Sequence, residues 1–392
     1  MALDRLRHKL DALEGGLKGI PLGPEWAELT RDFTRPFLAL HLAAELYTAR
    51  LSLALALDLG WEARLRSGTD AEALCADLPS QCRIPVRWML GFLADQGLLA
   101  GEGGRVRLTG EPQVDLAEIR AFAGAEAGGQ TATFDLLDHV REVIPPFFTE
   151  GRPGEPLLFD LRTFPLWLAY FRNDNPVYRP NNLLSLMALR DRLPEGASIL
   201  ELGAGSGSFL RLLHADAKAK GYLGRIGAYR FTDVASAFLR RAQRELTAEM
   251  PELSLAFSPL DLNRDLTGQG LEDGSLDAIV GVNVLHVAKD LPGALAALRR
   301  KLRPGGILAF GECLKPSLDE PIYLEFLFNF MDSFREVDLD PALRPVHGFL
   351  TPELWQGLLS HAGFQEIRGY PDARALMDQV PDFFVGGFSA RA

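Results

Sequence analysis

Apolar positions along this chain follow two different periods, and the change falls near residue 196. Before it, helical spacing dominates. From Pro36 to about Leu59 apolar residues recur at Leu38, Leu42, Leu46, Leu53 and Leu57, predicting one long helix. Thr69 and Asp70 open a capped helix over residues 69–74, and residues 83–99 predict another, carrying Trp88, Met89, Leu90, Leu93 and Leu98. Residues 103–108 then read as a small hairpin. Ahead of these lies a leading helix and an arm punctuated by Gly15, Gly16, Gly19, Pro21, Gly23 and Pro24. Behind them come a small-residue linker (residues 124–129), a helix over 134–148 up to Pro145-Pro146, and an aromatic-rich stretch over 157–171. Tyr178-Arg179-Pro180-Asn181-Asn182 then leads into a helix that ends before Pro194.

From residue 197 to about 312 short apolar runs alternate with helical patterns, which implies a parallel sheet with right-handed crossovers. Strands are predicted at residues 199–202, 229–233, 254–259, 276–282 and 307–310. The fourth is apolar on both faces, as buried parallel strands are. A helix over residues 291–302 is stopped by Arg303-Pro304-Gly305-Gly306. The expected division is an N-terminal helix and arm (1–35), a helical, winged-helix-like domain (36–125), linker and lid helices (126–185), and an α/β, Rossmann-like domain (186–392). That last domain has a mostly parallel doubly wound sheet and an insertion at about 316–350.

The chemistry starts at Ile199-Leu200-Glu201-Leu202-Gly203-Ala204-Gly205-Ser206-Gly207. Strand, glycine turn and helix start let backbone approach a ligand closely and present unpaired N–H donors. Glu201, an acid inside a buried strand end, needs a partner or a ligand. About 30 residues on, Asp233 ends the second strand, where doubly wound nucleotide folds grip ribose hydroxyls. The spacing is G-x-G-x-G, not the G-x-G-x-x-G of dinucleotide sites, and it favours S-adenosylmethionine (SAM) over NAD. Ligands of open α/β sheets sit beyond the carboxyl ends of the strands. That rule selects Asn283 and His286 after the fourth strand and Glu312 after the fifth. An imidazole is a natural base for an activated carbon or hydroxyl, and a carboxylate on its other nitrogen fixes the tautomer. A core histidine beside a solvated strand end is the plainer alternative.

Composition narrows the field. The chain has 392 residues, enough for two or more domains, with 47% apolar and 24% charged residues. A net charge of −11 disfavours a nucleic-acid partner. Three scattered cysteines (Cys75, Cys82, Cys313) suit neither a disulfide framework nor a metal site, so no metal is expected. The charged N-terminus lacks the apolar core of a secretion signal, and the most apolar run, residues 51–59, is too short for a bilayer. A cytoplasmic protein without membrane contact is the expectation.

From about residue 177 to 364 the chain resembles class I SAM-dependent methyltransferases, most narrowly the carbon methyltransferase domains of polyketide synthases. The matching segments are I-L-E-L-G-A-G-S-G, Y-R-F-T-D-V-A-S-A-F, P-L-D-L-N-R-D, G-V-N-V-L-H-V-A-K-D-L, L-R-R-K-L-R-P-G-G-I-L-A-F-G-E and T-P-E-L-W-Q-G-L-L-S-H-A-G-F. The helical front end resembles the dimerisation domain of small-molecule O-methyltransferases, which makes a homodimer through it one allowed assembly. The resemblance implies SAM as cofactor, with Glu201, Gly203, Gly205 and Gly207 on its methionine and ribose side. It places Asp233 on the ribose, Asp261 and Leu262 at the adenine, and Asn283 on the methionine side. His286 and Glu312 fall on the catalytic base and its partner. Where the family carries a tryptophan-rich lid, residues 323–334 are Phe-rich. Tyr178, Phe326 and Phe330 are the aromatic faces expected to meet the sulfonium or the substrate. The expected acceptor is an acidic carbon of a small-molecule or carrier-protein-bound acyl intermediate. O-methylation, cyclisation of SAM to azetidine-2-carboxylate with release of methylthioadenosine, and ligand binding without catalysis remain alternatives.

Overall fold

The computed structural model describes residues 2–17, 24–160, 162–370, 372–380 and 383–392. Gly19, Pro21 and Gly23 of the expected arm lie outside the described residues. Gly15 and Gly16 continue the first helix, Ala2–Leu17, and Pro24 opens a second, Pro24–Thr30.

The helical half is built on Arg35–Asp58. The Thr34 hydroxyl caps it by accepting from the Phe37 N–H, and Pro36 sits in the first turn, where no N–H is missed. This helix has 24 residues and is long and apolar enough to cross a membrane, contrary to the short run expected. Here 89% of its most apolar window is buried inside the protein, against helices Leu116–Ala127, Ala132–Val143 and Arg83–Asp95. The supposed linker at residues 124–129 is the end of helix Leu116–Ala127, stopped at Gly128 with φ 64°. Small residues there allow close helix packing, which composition alone presents as a loop. Arg83–Asp95 stops four residues short of the expected end, because Gly97 (φ 69°) turns the chain into strand β1, Leu99–Glu102. It pairs antiparallel with β2, Arg105–Leu108. Pro145 does not only end a helix but begins the next, Pro145–Thr149.

The other half holds seven strands: β3 (Ala197–Leu202), β4 (Ile226–Asp233), β5 (Ser254–Pro259), β6 (Leu276–Val282), β7 (Leu302–Cys313), β8 (Gln365–Tyr370) and β9 (Val385–Arg391). Their order is β5-β4-β3-β6-β7-β9-β8. The first five are parallel, whereas β9 runs antiparallel between β7 and β8. The order reverses between β3 and β6, so the crevice belongs at their carboxyl ends. β7 is longer than expected at both ends. Its pairing jumps from Leu302 to Ile307, so Arg303–Gly306 forms a bulge, not a separate turn, and Glu312 lies within the strand.

Helix Arg179–Leu189, expected in the linker segment, lies on β7 and β9. Two glycines permit this approach. A Cβ on Gly311 would stand 2.3 Å from the Ser185 hydroxyl, and one on Gly387 would stand 2.6 Å from the Leu184 carbonyl oxygen. That contact carries Tyr178, Asn181 and Asn182 to the strand tips.

Candidate active site

At the end of β3 a cavity of about 80 Å³ is lined by Phe171, Tyr178, Asn182, Glu201, Gly203, Gly205 and Asn283, among others. Gly203 and Gly205 take φ of 53° and 50°, a conformation costly for residues with a Cβ. At Gly203 a Cβ would also stand 2.4 Å from Val284 Cγ2. Glu201 is buried, and its Oε2 accepts from the Tyr229 hydroxyl at 2.7 Å. Burial pushes its carboxyl up to about 8, against the Tyr229 bond, which favours the charged form. A larger polar cleft of about 410 Å³ adjoins the cavity through shared Ser206 and Ser208, but its other walls are surface residues such as Arg172, Arg241 and Glu245.

His286 and Glu312 meet beyond β6 and at the end of β7. The residues 285–287 form one 3-10 turn, and its unpaired N–H groups need acceptors. Glu312 Oε1 supplies one, accepting from Val284, Leu285 and His286 N–H at 3.1, 2.8 and 3.3 Å. Oε2 is left for His286 Nδ1, at 2.6 Å. The pair is 1% and 0% exposed. The imidazole ring is enclosed by Phe349, Phe334 and Phe328, with ring centroids 4.8, 5.6 and 6.2 Å away. Arg344, fully buried, donates to the carbonyls of His286 and Ala288. Burial pushes its guanidinium down to about 10, opposed by the nearby Glu312 charge. Val284 joins the two halves: its side chain abuts Gly203 and its N–H bonds Glu312. Tyr178 lies within electrostatic reach of Glu201, Glu312 and the Asn283 side chain.

The structure therefore gathers Tyr178, Glu201, Gly203, Gly205 and Asn283 around one cavity and pairs His286 with Glu312. Other expected residues sit elsewhere. Phe326 and Phe330 do not line the imidazole. Phe326 packs on Trp88, and Phe330 on Phe147 and Phe148 of the helical half. The Phe-rich stretch forms two short helices, Glu325–Phe328 and Asp332–Arg335; Phe328, on the opposite face of the first from Phe326, and Phe334, in the second, pack onto His286. Asp233 braces the glycine loop: Oδ2 accepts from Gly205 N–H at 2.9 Å and Oδ1 from Ala235 N–H at 2.7 Å. Asp261 binds its own turn through Asn263 N–H and pairs with Arg264, and Leu262 lines a separate groove with Lys289 and Asp290. The Asn283 side chain faces Asn181 and the Cys313 N–H, so only its surface at the cavity is free for a ligand. Gly207 caps helix Ser208–Lys220 with φ 75°. Sequence reasoning missed Asn182, Arg344 and Phe349. The pair Asn181-Asn182 on an otherwise apolar helix was the available signal.

Comparison with known proteins agrees with this fold. Residues 200–308 match the family model of a methyltransferase domain. The hybrid PKS-NRPS synthetase mpsA of Macrophomina phaseolina is 33% identical over 190 residues, covering 47% of this chain and 4% of that protein. The compactin diketide synthase mlcB of Penicillium citrinum is 31% identical over 255 residues, covering 64% and 9%. The chain thus spans less than a tenth of the length of these curated relatives. The CurJ carbon methyltransferase structure is 21% identical with a TM-score of 0.73, covering 100% of this chain and 98% of that one. The citrinin polyketide synthase CMeT domain is 16% identical with a TM-score of 0.70, covering 99% and 96%. The fold and domain define a class I SAM-dependent methyltransferase, an enzyme that transfers methyl groups. Its fold is shared with carbon methyltransferase domains of polyketide synthases.

The residues present fit SAM. Its amino-acid end carries an ammonium and its sulfur a positive charge, and the cavity offers the buried Glu201 carboxyl, the Tyr178 ring and a backbone cradle at Gly203 that a Cβ would fill. Those residues, with Gly205 and the cavity face of Asn283, would hold it.

Proposed function

We propose that this chain methylates an acidic carbon flanked by carbonyl groups in an acyl intermediate carried as a thioester, in the making of a secondary metabolite. The observation that carries this reading is the 2.6 Å contact between His286 Nδ1 and Glu312 Oε2, buried beside the glycine-loop cavity. SAM, when bound, supplies an electrophilic methyl group. The protein's part is to align the acceptor and remove its proton. With Nδ1–H donating to Glu312, His286 Nε2 keeps its lone pair and can accept the α-proton; the carboxylate then stabilises the imidazolium. Phe328, Phe334 and Phe349 enclose the imidazole ring and offer an apolar wall for an acyl chain. The synthase relatives support a carrier-bound acceptor.

The test is product analysis. With SAM carrying a ¹³C methyl and a β-ketoacyl thioester as acceptor, the label should appear on the carbon between the carbonyls. Label on oxygen would replace this reading with O-methylation, and methylthioadenosine formed from SAM alone would replace it with cyclisation.

A further inference from the structure

Asn182 lines the glycine-loop cavity, is 1% exposed, and its Oδ1 is buried without a partner. The orientation of its amide follows from its neighbours. The Ser208 carbonyl can only accept, and it takes Asn173 Nδ2 at 2.7 Å, which fixes Asn173 Oδ1 as an acceptor. That oxygen takes Asn182 Nδ2 at 2.9 Å, and the Ser208 hydroxyl accepts a second bond from Nδ2 at 3.0 Å. Both Nδ2 protons are thereby used. Flipping the amide would set two oxygens against each other at Asn173, so Oδ1 must be the free end. A buried acceptor without a donor is costly, and a donor brought by a ligand removes that cost.

We propose that Asn182 Oδ1 receives the α-ammonium of SAM in the cavity that Glu201 also lines, and so makes this cavity discriminate the intact amino-acid end of the cofactor from nucleosides that lack it. The inference rests on the cofactor reading above. Tyr178, Gly203 and Gly205 line the same cavity, and of SAM's hydrogen-bond donors the cationic ammonium is the one best matched to a cavity that holds both this free acceptor and the Glu201 carboxyl. The Ser208–Asn173–Asn182 chain of bonds also ties the first turn of helix Ser208–Lys220 to the segment that covers the cavity. Asn182 is a binding residue here and takes no part in the proton transfer.

The test compares two ligands on the full chain by calorimetry: S-adenosylhomocysteine, which keeps the ammonium, and methylthioadenosine, which lacks it. In Asn182→Ala the affinity for S-adenosylhomocysteine should fall about ten- to a hundredfold, as for a lost hydrogen bond to a charged group, while methylthioadenosine changes by less than about twofold. Asn173→Ala, at a half-buried position, only frees the amide to rotate. It should give an intermediate loss on the first ligand and none on the second, and it serves if Asn182→Ala does not fold. Equal losses on both ligands, or no loss on either, would overturn the inference while leaving the cofactor reading intact. A wild-type chain that bound neither ligand would overturn the cofactor reading itself.

Discussion

The two halves of the site are made from different materials. The cofactor side is framed by backbone: glycines with positive φ, strand-tip carbonyls and N–H groups, and a cavity whose shape depends on missing side chains at its glycines, with Tyr178, Asn182 and Glu201 set around it. The proposed acceptor side is made of side chains: an imidazole oriented by a carboxylate, the carboxylate oriented by three N–H groups, and three phenyl rings around them. A backbone site tolerates changes that keep its space open. A side-chain site tolerates changes that keep its polarity, and each half should fail in its own way.

Glu312→Gln is expected to have the largest effect among changes outside the base itself. Gln can still accept the three N–H bonds through its oxygen, but it then turns an NH₂ toward His286 Nδ1 and favours the wrong tautomer. A fall of about 10² to 10⁴ in kcat is expected, with S-adenosylhomocysteine affinity unchanged. Steady-state kinetics beside calorimetry would show this split. Equal weakening of both would mean that the couple only holds the fold together.

Gly203→Ala should do the reverse and strike cofactor binding first. Positive φ costs an alanine about 1–2 kcal/mol, and the added Cβ would stand 2.4 Å from Val284 Cγ2. Adding Val284→Ala should recover the steric part of the lost affinity but not the conformational part. Absence of any recovery would show that Val284 is not the wall between the two halves.

Glu201 gives a smaller effect with a definite sign. Its folded-state pKa of about 8 lies above the ordinary 4.5, so the folded chain keeps a proton that the unfolded chain releases across that interval. Stability from this group is therefore fullest below about pH 4.5, falls as pH rises toward 8, and is flat above. Glu201→Gln removes the dependence, so its melting temperature should exceed that of the wild type by about 2 °C or more at pH 8 and match it most closely at pH 5. Parallel melting curves across that range would contradict the assignment.

The smallest effect separates the two sets of phenyl rings. Phe326→Leu should cost about 1–2 kcal/mol of stability and leave kcat unchanged, because its ring contacts are with Trp88 and Phe330. Phe349→Leu, against the imidazole, should cost a similar amount of stability and also lower kcat.

This contrast also explains what could be read from the sequence. The glycine turn, the strand-tip acids and the alternation of strand and helix are local patterns, and they identified β3 to β7 together with Glu201, His286 and Glu312. The partners of those residues come from distant segments. Asn182 reaches the cavity only because Gly311 and Gly387 let its helix lie on the sheet, and Arg344 is 58 residues from the carbonyl of His286 that it bonds. Phe326 and Phe328 are two residues apart in a Phe-rich run, and because both lie in helix Glu325–Phe328 they point to opposite faces, only one of them toward the imidazole. Asp233 occupies the expected strand tip, and its bonds to the Gly205 and Ala235 N–H groups, which fix the glycine loop, come from the fold of that loop. Strands β8 and β9 went unread, since no turn or motif marks them before the sheet is assembled.

The most direct test of the central claim looks for proton removal without methyl transfer. A β-ketoacyl thioester is held in D₂O with the chain and S-adenosylhomocysteine, and exchange at the carbon between the carbonyls is followed by NMR against the uncatalysed background. The wild type is expected to speed that exchange and His286→Ala to bring it back to background while still binding S-adenosylhomocysteine. Exchange by His286→Ala at the wild-type rate would contradict the account, because the proton would then be leaving to some other group.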